Sequence, residues 1–505
     1  MRYSGLSALL ACASILLTSC QHDDRRADAG RLKTESAART PAAEREVRAG
    51  IFQDSTHLLT ANPAQRNYGI AVTDLDGDDS FEFVVAGFGN PNLAFGWNGA
   101  RYVEKIPSLL SDPSRDAIGV AACDVDGDGR EELYVLNTDS YAGTKRFGDR
   151  LFDAGPGGAW TNLFEAEGNE GARNLTAGRS VACVDRMGTG RYSVFVANYG
   201  GPMRLYELDD EGSLRDIAAE AGVARTTGGR GIISGPILSA RMDLFLANER
   251  GPNFMFRNQG DGTFVDVAAA ANILDPGEHG RGIALLDANE DGRLDIAYGN
   301  WAGPHRLFIQ REDHTFADKA PPEMAAPSRI RTVLAADFDN DGYVELFFNN
   351  IGEANRLFRR DPKGQWVVAP IGDALEPEGL GTGAAVADLN GDGRLELLVA
   401  HGESGAQPLT LFETQANDHH WLRVLPRTTQ GAPARGALVE LVADGRTQRR
   451  VIDSGSGYLC QMEPVAHFGL GDTDKVSSVR VVWPDGATRT LAPGRVDATL
   501  ELTHP

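Results

Sequence analysis

A unit of about 50 residues recurs through the middle of the chain and constrains the fold more than any other feature. Each copy has a short apolar strand, an acidic loop, a second apolar strand and a turn that ends near Asn. With two eroded copies included, the first loop positions are 74, 124, 185, 235, 287, 337 and 388. Seven such units, rich in Val, Ile, Leu and Phe and punctuated by Gly, are typical of four-stranded propeller blades. The sequence therefore predicts an all-β, seven-bladed β-propeller over residues 50–415.

The two ends of the repeat region predict how the propeller closes. Residues 51–54 resemble the fourth strand of a blade, but no first three strands precede them. The last repeat ends with the strand 409–412 and has no fourth strand after it. We expect the strand near Phe52 to complete the last blade, which leaves no open sheet edge.

Five of the loops share the pattern Asp-x-Asp/Asn-x-Asp-Gly-x-x-Asp/Glu. This spacing places oxygen ligands at positions 1, 3, 5 and 9, with a backbone carbonyl at 7, and the Gly turn lets them converge on one hard cation. Mg²⁺ prefers a stricter octahedron, and Zn²⁺ prefers His or Cys, which these loops lack. We therefore expect about five Ca²⁺ ions. The predicted ligands are Asp74, Asp76, Asp78 and Glu82; Asp124, Asp126, Asp128 and Glu132; Asp287, Asn289, Asp291 and Asp295; Asp337, Asp339, Asp341 and Glu345; and Asp388, Asn390, Asp392 and Glu396.

A simpler interpretation is that Asp, Asn and Gly favour turns. However, carboxylates matched in five loops would repel one another without a cation. In the eroded copies, Thr189 and Ser193 replace two ligands, and the stretch from Gly235 to Asp243 lacks the acidic loop, yet the flanking strands persist. The acidic residues are therefore not needed for the turn alone.

Charge excludes one class of partner. Acidic residues outnumber basic residues by 71 to 49, which gives a formal net charge of −22. Such a chain repels phosphate backbones, so we expect no nucleic acid partner.

The first 20 residues predict a lipoprotein signal peptide. Arg2 is followed by an apolar run over residues 6–17 that is short for a bilayer of ~30 Å, and Leu-Thr-Ser-Cys at 17–20 resembles the bacterial lipobox. An ordinary cleaved signal or an uncleaved membrane helix is the alternative. We expect lipidation at Cys20 and an anchor in the cell envelope, with Gln21 favouring the outer membrane. Residues 21–49 are charged and Ala-rich and predict a disordered tether.

The remaining cysteines indicate neither a zinc site nor a disulfide scaffold. Cys123, Cys183 and Cys460 show no CxxC spacing. Cys123 and Cys183 occupy matching places in neighbouring repeats, so a bond between them is an alternative, but we expect two buried free thiols.

The acidic loops resemble the FG-GAP/VCBS repeat, which is also found in the integrin α-subunit propeller. Residues 416–505 contain alternating strands that predict a small β-sandwich, and they resemble the ASPIC/UnbV domain. That likeness lies in His-Trp-Leu-Arg-Val at 420–424, Ser-Gly-Ser-Gly-Tyr at 454–458, Gln461, His-Phe-Gly-Leu-Gly at 467–471 and Val-Trp-Pro-Asp-Gly at 482–486. Together the two regions resemble the cartilage acidic protein family. The resemblance implies calcium binding, adhesion or interaction, and export, and it implies no reaction.

The sequence contains no nucleophile elbow, HExxH, Walker loop or paired CxxC motif. We therefore expect a non-enzymatic platform for a protein or glycan partner, with the membrane reached only through the lipid anchor. The alternative is a lectin or polysaccharide-processing enzyme that uses the propeller funnel, with Tyr141, Trp160 and Phe164 as stacking surfaces. We expect the 454–458 and 467–471 runs to pack as turns against the propeller rather than to line a groove.

Overall fold

The computed structural model describes residues 50–155 and 158–505. The predicted signal peptide, the lipidation residue Cys20 and the tether at 21–49 lie outside these residues. Within the described part, the strands form seven blades, followed by two further sheets. The first strands of consecutive blades pack side by side, and the first strand of blade 7 packs against that of blade 1, which closes the ring. The predicted seven-bladed propeller is confirmed.

The strands follow one another blade by blade, after an initial strand β1 at Phe52–Asp54. Blade 1 contains β2 (Asn67–Thr73), β3 (Glu82–Gly87), β4 (Leu93–Trp97) and β5 (Tyr102–Glu104); blade 2 contains β6 (Ala117–Cys123), β7 (Glu132–Asn137), β8 (Arg150–Gly155) and β9 (Ala159–Asn162); blade 3 contains β10 (Gly178–Val184), β11 (Ser193–Pro202), β12 (Arg204–Leu208) and β13 (Leu214–Asp216). Blade 4 contains β14 (Thr226–Gly235), β15 (Asp243–Asn248), β16 (Phe254–Asn258) and β17 (Phe264–Asp266); blade 5 contains β18 (Gly280–Leu286), β19 (Asp295–Asn300), β20 (Arg306–Gln310) and β21 (Phe316–Asp318). Blade 6 contains β22 (Ile330–Ala336), β23 (Glu345–Asn350), β24 (Arg356–Arg360) and β25 (Trp366–Val368), and blade 7 contains β26 (Gly381–Ala387), β27 (Glu396–His401) and β28 (Thr410–Thr414). The short helices α1 (Ser108–Ser111) and α2 (Pro322–Ala325) lie between blades 1 and 2 and between blades 5 and 6.

The first strand of a blade is the most buried part of the fold. All seven residues of β6 are buried, and the same holds for β10 and β26. Each blade is packed between two neighbours, so both faces of these strands are covered and both carry apolar side chains. This explains why the first strands appear in the sequence as continuous apolar runs rather than as alternating ones.

Strand β1 completes blade 7, as the sequence predicts. It pairs antiparallel with β28, with Phe52 opposite Thr414, and the sheet order is β1-β28-β27-β26. Phe52 is 1% exposed, and its ring meets the edges of Phe338 and Phe347 at centroid distances of 4.8 and 6.0 Å. The N-terminal strand therefore closes the circle by both backbone pairing and aromatic packing.

The C-terminal strands form a small two-sheet sandwich, which confirms the predicted fold of this region. One sheet has the order β32-β29-β35 and the other the order β31-β30-β33-β34. Its core includes Phe468, Leu441 and Trp483. The strands are β29 (His420–Arg427), β30 (Leu438–Ala443), β31 (Arg446–Val451), β32 (Ala466–Gly471), β33 (Val476–Val482), β34 (Thr488–Leu491) and β35 (Ala498–Thr503).

Residues 454–461, which we call the axial segment, leave this sandwich and run along the inner edges of the first strands. Cys183 N donates to Ser454 O at 2.7 Å, Gly457 N donates to Ile283 O at 2.8 Å, and Gln461 N donates to Ile70 O at 2.8 Å. These partners belong to blades 3, 5 and 1, so the segment lies at the centre of the ring. It supplies hydrogen bonds to backbone edges that no neighbouring strand covers.

Cys123 and Cys183 form a disulfide, so the prediction of two free thiols is wrong. The two residues lie near the ends of β6 and β10, the first strands of adjacent blades, and their Cα atoms are 6.3 Å apart, within the range for a disulfide. Side-by-side packing of the two first strands brings matching positions together, which sequence spacing alone does not show. Cys460 is a buried free thiol.

The predicted aromatic surface is only partly present. Phe164 is wholly buried between Tyr134 and Tyr206, so this part of the prediction is wrong. Trp160 is partly buried against the core of blades 1 and 2, whereas Tyr141 is 60% exposed. In residues 50–155 and 158–505 no helix has the length and apolar character needed to cross a membrane.

Phe52→Ala tests the closure of the ring. The substitution removes a fully buried ring from the junction of blades 6 and 7, so we expect the free energy of unfolding to fall by about 3–5 kcal/mol. Gln53→Ala, at an exposed position of the same strand, is the control and should change it by less than ~0.5 kcal/mol. Urea unfolding measures both variants, and equal effects would contradict closure by β1.

Candidate metal centre

Each acidic loop joins the first strand of a blade to the second strand. Its last predicted ligand is the first residue of that second strand, where the carboxylate is buried. This carboxylate accepts the backbone N–H of the loop's second residue: Phe338 N donates to Glu345 Oε2 at 2.9 Å, and Leu389 N donates to Glu396 Oε2 at 2.8 Å. The sheet thus fixes the position of one carboxylate in every complete loop.

The first ligand position is held by the turn itself. Asp124 Oδ1 accepts the N–H of Gly127 at 2.6 Å, and Asp124 Oδ2 accepts the N–H of Gly129 at 3.0 Å. Gly129 has a φ of +93°, a conformation that favours glycine. The Gly of the sequence pattern is therefore needed for the backbone to curl around the first carboxylate.

Four of the five loops bring three predicted ligands together, with one carboxylate oxygen from each residue within 4.8 Å of the others. The groups are Asp74, Asp76 and Asp78; Asp124, Asp126 and Glu132; Asp337, Asp339 and Glu345; and Asp388, Asp392 and Glu396. Glu82, Asp128 and Asp341 are predicted ligands that lie outside these groups. Asn390 Nδ2 donates to Glu396 Oε1 at 2.7 Å, so this amide faces the carboxylates of its loop. Each of the four groups could hold a metal ion.

The described Asp residues of the blade 5 loop do not form such a group, and each of them has another partner. Asp287 Oδ2 lies 3.3 Å from Arg449 Nη1, and Asp291 pairs with Arg293. Both oxygens of Asp295 accept backbone N–H groups. Asn289 donates from its amide to Asp291 at 2.8 Å.

The loop of blade 6 shows the least compensated charge. Asp337 and Glu345 are 1% and 0% exposed, and Asp337 Oδ1 and Glu345 Oε1 have no hydrogen-bond partner. Burial raises the pKa of both carboxyl groups, and the neighbouring Asp339 raises each further. Two buried carboxylate oxygens without donors, next to a third carboxylate, fit a hard cation.

The loops of blades 2 and 7 share this electrostatic character. Burial raises the pKa of Asp124 to about 7 and raises the pKa values of Glu132 and Glu396 well above their usual range. Neighbouring carboxylates add to each shift. These loops concentrate negative charge that their own hydrogen bonds do not neutralise.

Blade 1 is different because a lysine enters its loop. Lys105 Nζ lies 2.9 Å from Glu82 Oε1, 3.1 Å from Asp76 Oδ2 and 3.7 Å from Asp78 Oδ2. Gly96 gives the lysine room, since a Cβ at that position would lie 2.8 Å from Lys105 Cδ and 2.7 Å from Glu82 Oε1. Burial raises the pKa of Glu82 to about 7, even though Lys105 opposes the shift. An ammonium group thus lies among the predicted ligands of this loop.

The eroded loop of blade 3 folds without a cation cluster. Gly188, Thr189 and Gly190 donate their backbone N–H groups to Asp185, and Ser193 Oγ donates to Glu207 Oε1 at 2.6 Å. The turn therefore forms even though ligand positions are lost, as the comparison of the repeats within the chain indicated.

Two families match this chain. The FG-GAP-like repeat matches residues 74–135, 240–298, 287–348 and 337–399, and the ASPIC and UnbV family matches residues 427–505. Cartilage acidic protein 1 of Homo sapiens is 51% identical over 485 aligned residues that cover 88% of this chain and 73% of that protein. This chain belongs to the cartilage acidic protein 1 family. The Xenopus tropicalis member is 49% identical over 492 residues, which cover 88% of this chain and 75% of that protein. Neither matching family description names a catalytic activity.

Solved structures that align with this chain include the BP39L lectin from Burkholderia pseudomallei. It has 13% identity and a TM-score of 0.49 over 70% of this chain and 98% of that chain. BBS1N, crystallised in complex with ARL6DN, gives 14% identity and a TM-score of 0.44 over 73% of this chain and 98% of that chain. The propeller assignment rests on the sheet order of this cartilage acidic protein 1 family member itself.

In this family member, arginines of the C-terminal sandwich reach the acidic loops, which the sequence did not predict. Arg423 Nη1 lies 3.3 Å from Asp388 Oδ2, and Arg450 Nη2 lies 3.7 Å from Asp337 Oδ2. The run Arg-Thr-Gln-Arg-Arg at 446–450 was a visible signal, but only docking of the sandwich on the loop face reveals its partners. The sandwich therefore partly neutralises the same carboxylates that could hold cations.

Arg435 makes the most buried of these contacts. The residue is 0% exposed, and its Nη2 donates to Val72 O at 2.9 Å and to Glu131 Oε2 at 3.0 Å. Glu131 directly precedes the last ligand of the blade 2 loop and also accepts the hydroxyl of Thr73 at 2.8 Å.

Arg435→Met tests whether this pair holds the two regions together. Loss of the guanidinium leaves Glu131 buried without its cation, so we expect the free energy of unfolding to fall by about 3–5 kcal/mol. The control is Arg480→Met, which removes an exposed arginine 2.7 Å from Glu440 and should cost less than ~1 kcal/mol. Chemical denaturation compares the two, and similar small losses would show that Arg435 does not anchor the sandwich.

Proposed function

We propose that this family member is an exported, lipid-anchored, calcium-binding propeller that acts as a non-enzymatic interaction platform for a protein or glycan partner. The observation that carries the calcium part is the blade 6 loop, where Asp337 Oδ1 and Glu345 Oε1 are buried without hydrogen-bond donors beside Asp339. The platform part is supported by membership of the family and by the FG-GAP-like repeats.

Calcium fits these loops better than other common cations. Their ligands are carboxylate, amide and carbonyl oxygens, which suit a hard cation with six to eight ligands and flexible geometry. We expect about five ions, with the loops of blades 2 and 6 as the strongest sites. Lys105 at blade 1, Arg449 at blade 5 and Arg423 at blade 7 compete with the cation and weaken those sites. An affinity of ~10⁻⁴–10⁻³ M would suit an exported protein.

The bound ion would have a structural role. Each loop connects the first and second strands of a blade, so neutralising its carboxylates removes repulsion at the end of the sheet. Among the described residues, each acidic cluster that could hold a metal ion consists of these loop ligands. We therefore assign no reaction to the loops.

Glu345→Gln tests the calcium proposal. Thermal unfolding of the full-length protein in EDTA, in millimolar Mg²⁺ and in millimolar Ca²⁺ should show a Ca²⁺-selective rise in midpoint. The variant should bind about one calcium ion fewer and show a smaller rise, because one oxygen of the fixed carboxylate becomes an amide nitrogen. Glu378→Gln makes the same charge change at an exposed position outside the loops and serves as the control. No calcium bound, or an equal response in both variants, would contradict the proposal.

Cys20→Ser tests the anchor, which is supported by the lipobox-like residues 17–20. We expect the unsubstituted protein to fractionate with the outer membrane and to incorporate labelled fatty acid, because two or three acyl chains bind a bilayer stably. The variant should lose the label and leave the membrane fraction. Retention of the Cys20→Ser protein in the membrane would argue for an uncleaved helix instead.

A further inference from the structure

Four consecutive blades carry an arginine at the same place in the first strand. These residues, which we call the arginine ring, are Arg179, Arg230, Arg281 and Arg331. The matching places in blades 1, 2 and 7 hold Tyr68, Ile118 and Thr382. Each first strand runs toward its acidic loop, so the ring lies at the opposite end of the propeller. Its members are only 4–9% exposed.

The ring has fewer acidic partners than guanidinium groups. Glu249 binds both Arg230 Nε at 2.9 Å and Arg281 Nη2 at 2.7 Å. Glu403 lies 2.9 Å from Arg331 Nη2. Two carboxylates thus serve three guanidiniums.

Arg179 makes no ion pair with any described residue. Its Nη2 donates instead to the backbone oxygens of Ser140, at 3.0 Å, and Tyr141. The ring as a whole therefore has four positive charges against two negative ones.

Several nitrogens of the ring are unpartnered. In the described part of the chain, the Nε atoms of Arg179, Arg281 and Arg331 and the Nη1 atom of Arg331 are buried without a hydrogen-bond acceptor. Buried donors of native proteins are nearly always satisfied, and a charged donor without an acceptor is costly. The arginine ring therefore has donor capacity that the described part of the protein does not use.

The same excess of positive charge shifts the pKa of Tyr458, at the tip of the axial segment. The hydroxyl of Tyr458 lies 3.4 Å from Arg230 Nη1. Burial raises the pKa of Tyr458, but the four guanidiniums outweigh burial and bring it below its usual value. Burial and the neighbouring Arg230 also lower the pKa of Arg281 to about 10. Both effects indicate positive charge that the protein does not fully compensate.

An aromatic ring lies next to these guanidiniums and is held in place. Tyr141 is 60% exposed, and the guanidinium carbons of Arg179 and Arg230 lie 5.2 and 5.5 Å from its centroid. Its hydroxyl donates to Glu249 Oε2 at 3.1 Å. At another member of the arginine ring, the Arg331 guanidinium lies 4.3 Å from the centroid of Trp301. A fixed aromatic face therefore borders the positive centre.

We propose that the arginine ring and Tyr141 form a binding site for an acidic saccharide, with the carboxylate of a uronate among the guanidiniums and its pyranose face on Tyr141. Planar guanidiniums match the geometry of a carboxylate, and a rigid aromatic ring suits the apolar face of a sugar. An acidic peptide fits less well, because strand edges close to the ring, such as that of Ile283, already pair with the axial segment. This inference rests on the proposed interaction platform and names the partner class.

Ligand-observed NMR with the calcium-loaded full-length protein tests the proposal. The probes are D-glucuronate, D-glucose, which has a hydroxymethyl group in place of the carboxylate, and a short Glu-containing peptide. We expect binding of glucuronate and at least tenfold weaker binding of the other two. Absence of glucuronate binding, equal binding of glucose, or tighter binding of the peptide would overturn the proposal.

Variants locate the site. Arg331→Gln and Arg179→Gln should each weaken glucuronate binding at least tenfold, and Tyr141→Ala should do so while leaving all four guanidiniums in place, although it also removes the hydroxyl that donates to Glu249. Arg480→Gln, at an exposed arginine of the C-terminal sandwich, should bind glucuronate normally. Unchanged binding in all three ring variants would overturn the assignment.

The bound calcium count separates this proposal from the previous one. All four variants should retain it, because their substitutions lie outside the acidic loops. A protein that binds calcium normally but no glucuronate would contradict only the arginine ring site, whereas loss of calcium binding would contradict the platform as well.

Discussion

In the five blades with complete acidic loops, the buried carboxylate at the start of the second strand has to be stabilised by the rest of the propeller. Glu132, Glu345 and Glu396 are 1%, 0% and 1% exposed, inside sheets where water does not reach them. Removing an ionised carboxylate from water costs several kcal/mol even after relaxation. Each loop therefore needs positive charge close by, and the blades meet this need differently. Blade 1 uses Lys105 and blade 5 uses Arg449. The loops of blades 2, 6 and 7 keep clustered carboxylates that suit a divalent cation, and Arg450 and Arg423 approach those of blades 6 and 7.

The C-terminal sandwich is part of the same solution rather than a separate attachment. It contributes Arg423, Arg435 and Arg450 to the loop face and the axial segment to the centre of the ring. The inner edges of seven first strands would otherwise expose backbone donors and acceptors. One segment thus satisfies hydrogen bonds from several blades at once, and its tip places Tyr458 among the arginines of the far end.

Local pattern was enough to predict the blades, the loops and the closure by Phe52, because strand alternation and loop spacing repeat within about 50 residues. Long-range partners were not predictable in the same way. Lys105 lies 23 residues from Glu82 and reaches it only across the width of blade 1. The Cys123–Cys183 bond depends on two first strands packing side by side. The arginine ring did leave a signal, one Arg at the same place in four consecutive repeats, but in a single strand it looks like an isolated polar residue.

An acidic protein with a site for an acidic ligand is not a contradiction, since the two charges are far apart. Asp337, which directly follows β22, is six positions after Arg331, which is about 20 Å along an extended backbone. The Coulomb energy between the buried groups at the two ends falls with this distance, and salt, with a Debye length of about 8 Å at physiological ionic strength, screens the exposed charges between them. The net charge of −22 repels a polyanion that must lie along the whole surface, yet a single carboxylate that enters the arginine ring meets mainly the local excess of guanidinium groups. Segregation of the two signs to opposite ends of the same strands therefore allows one propeller to bind cations on one face and an anionic group on the other.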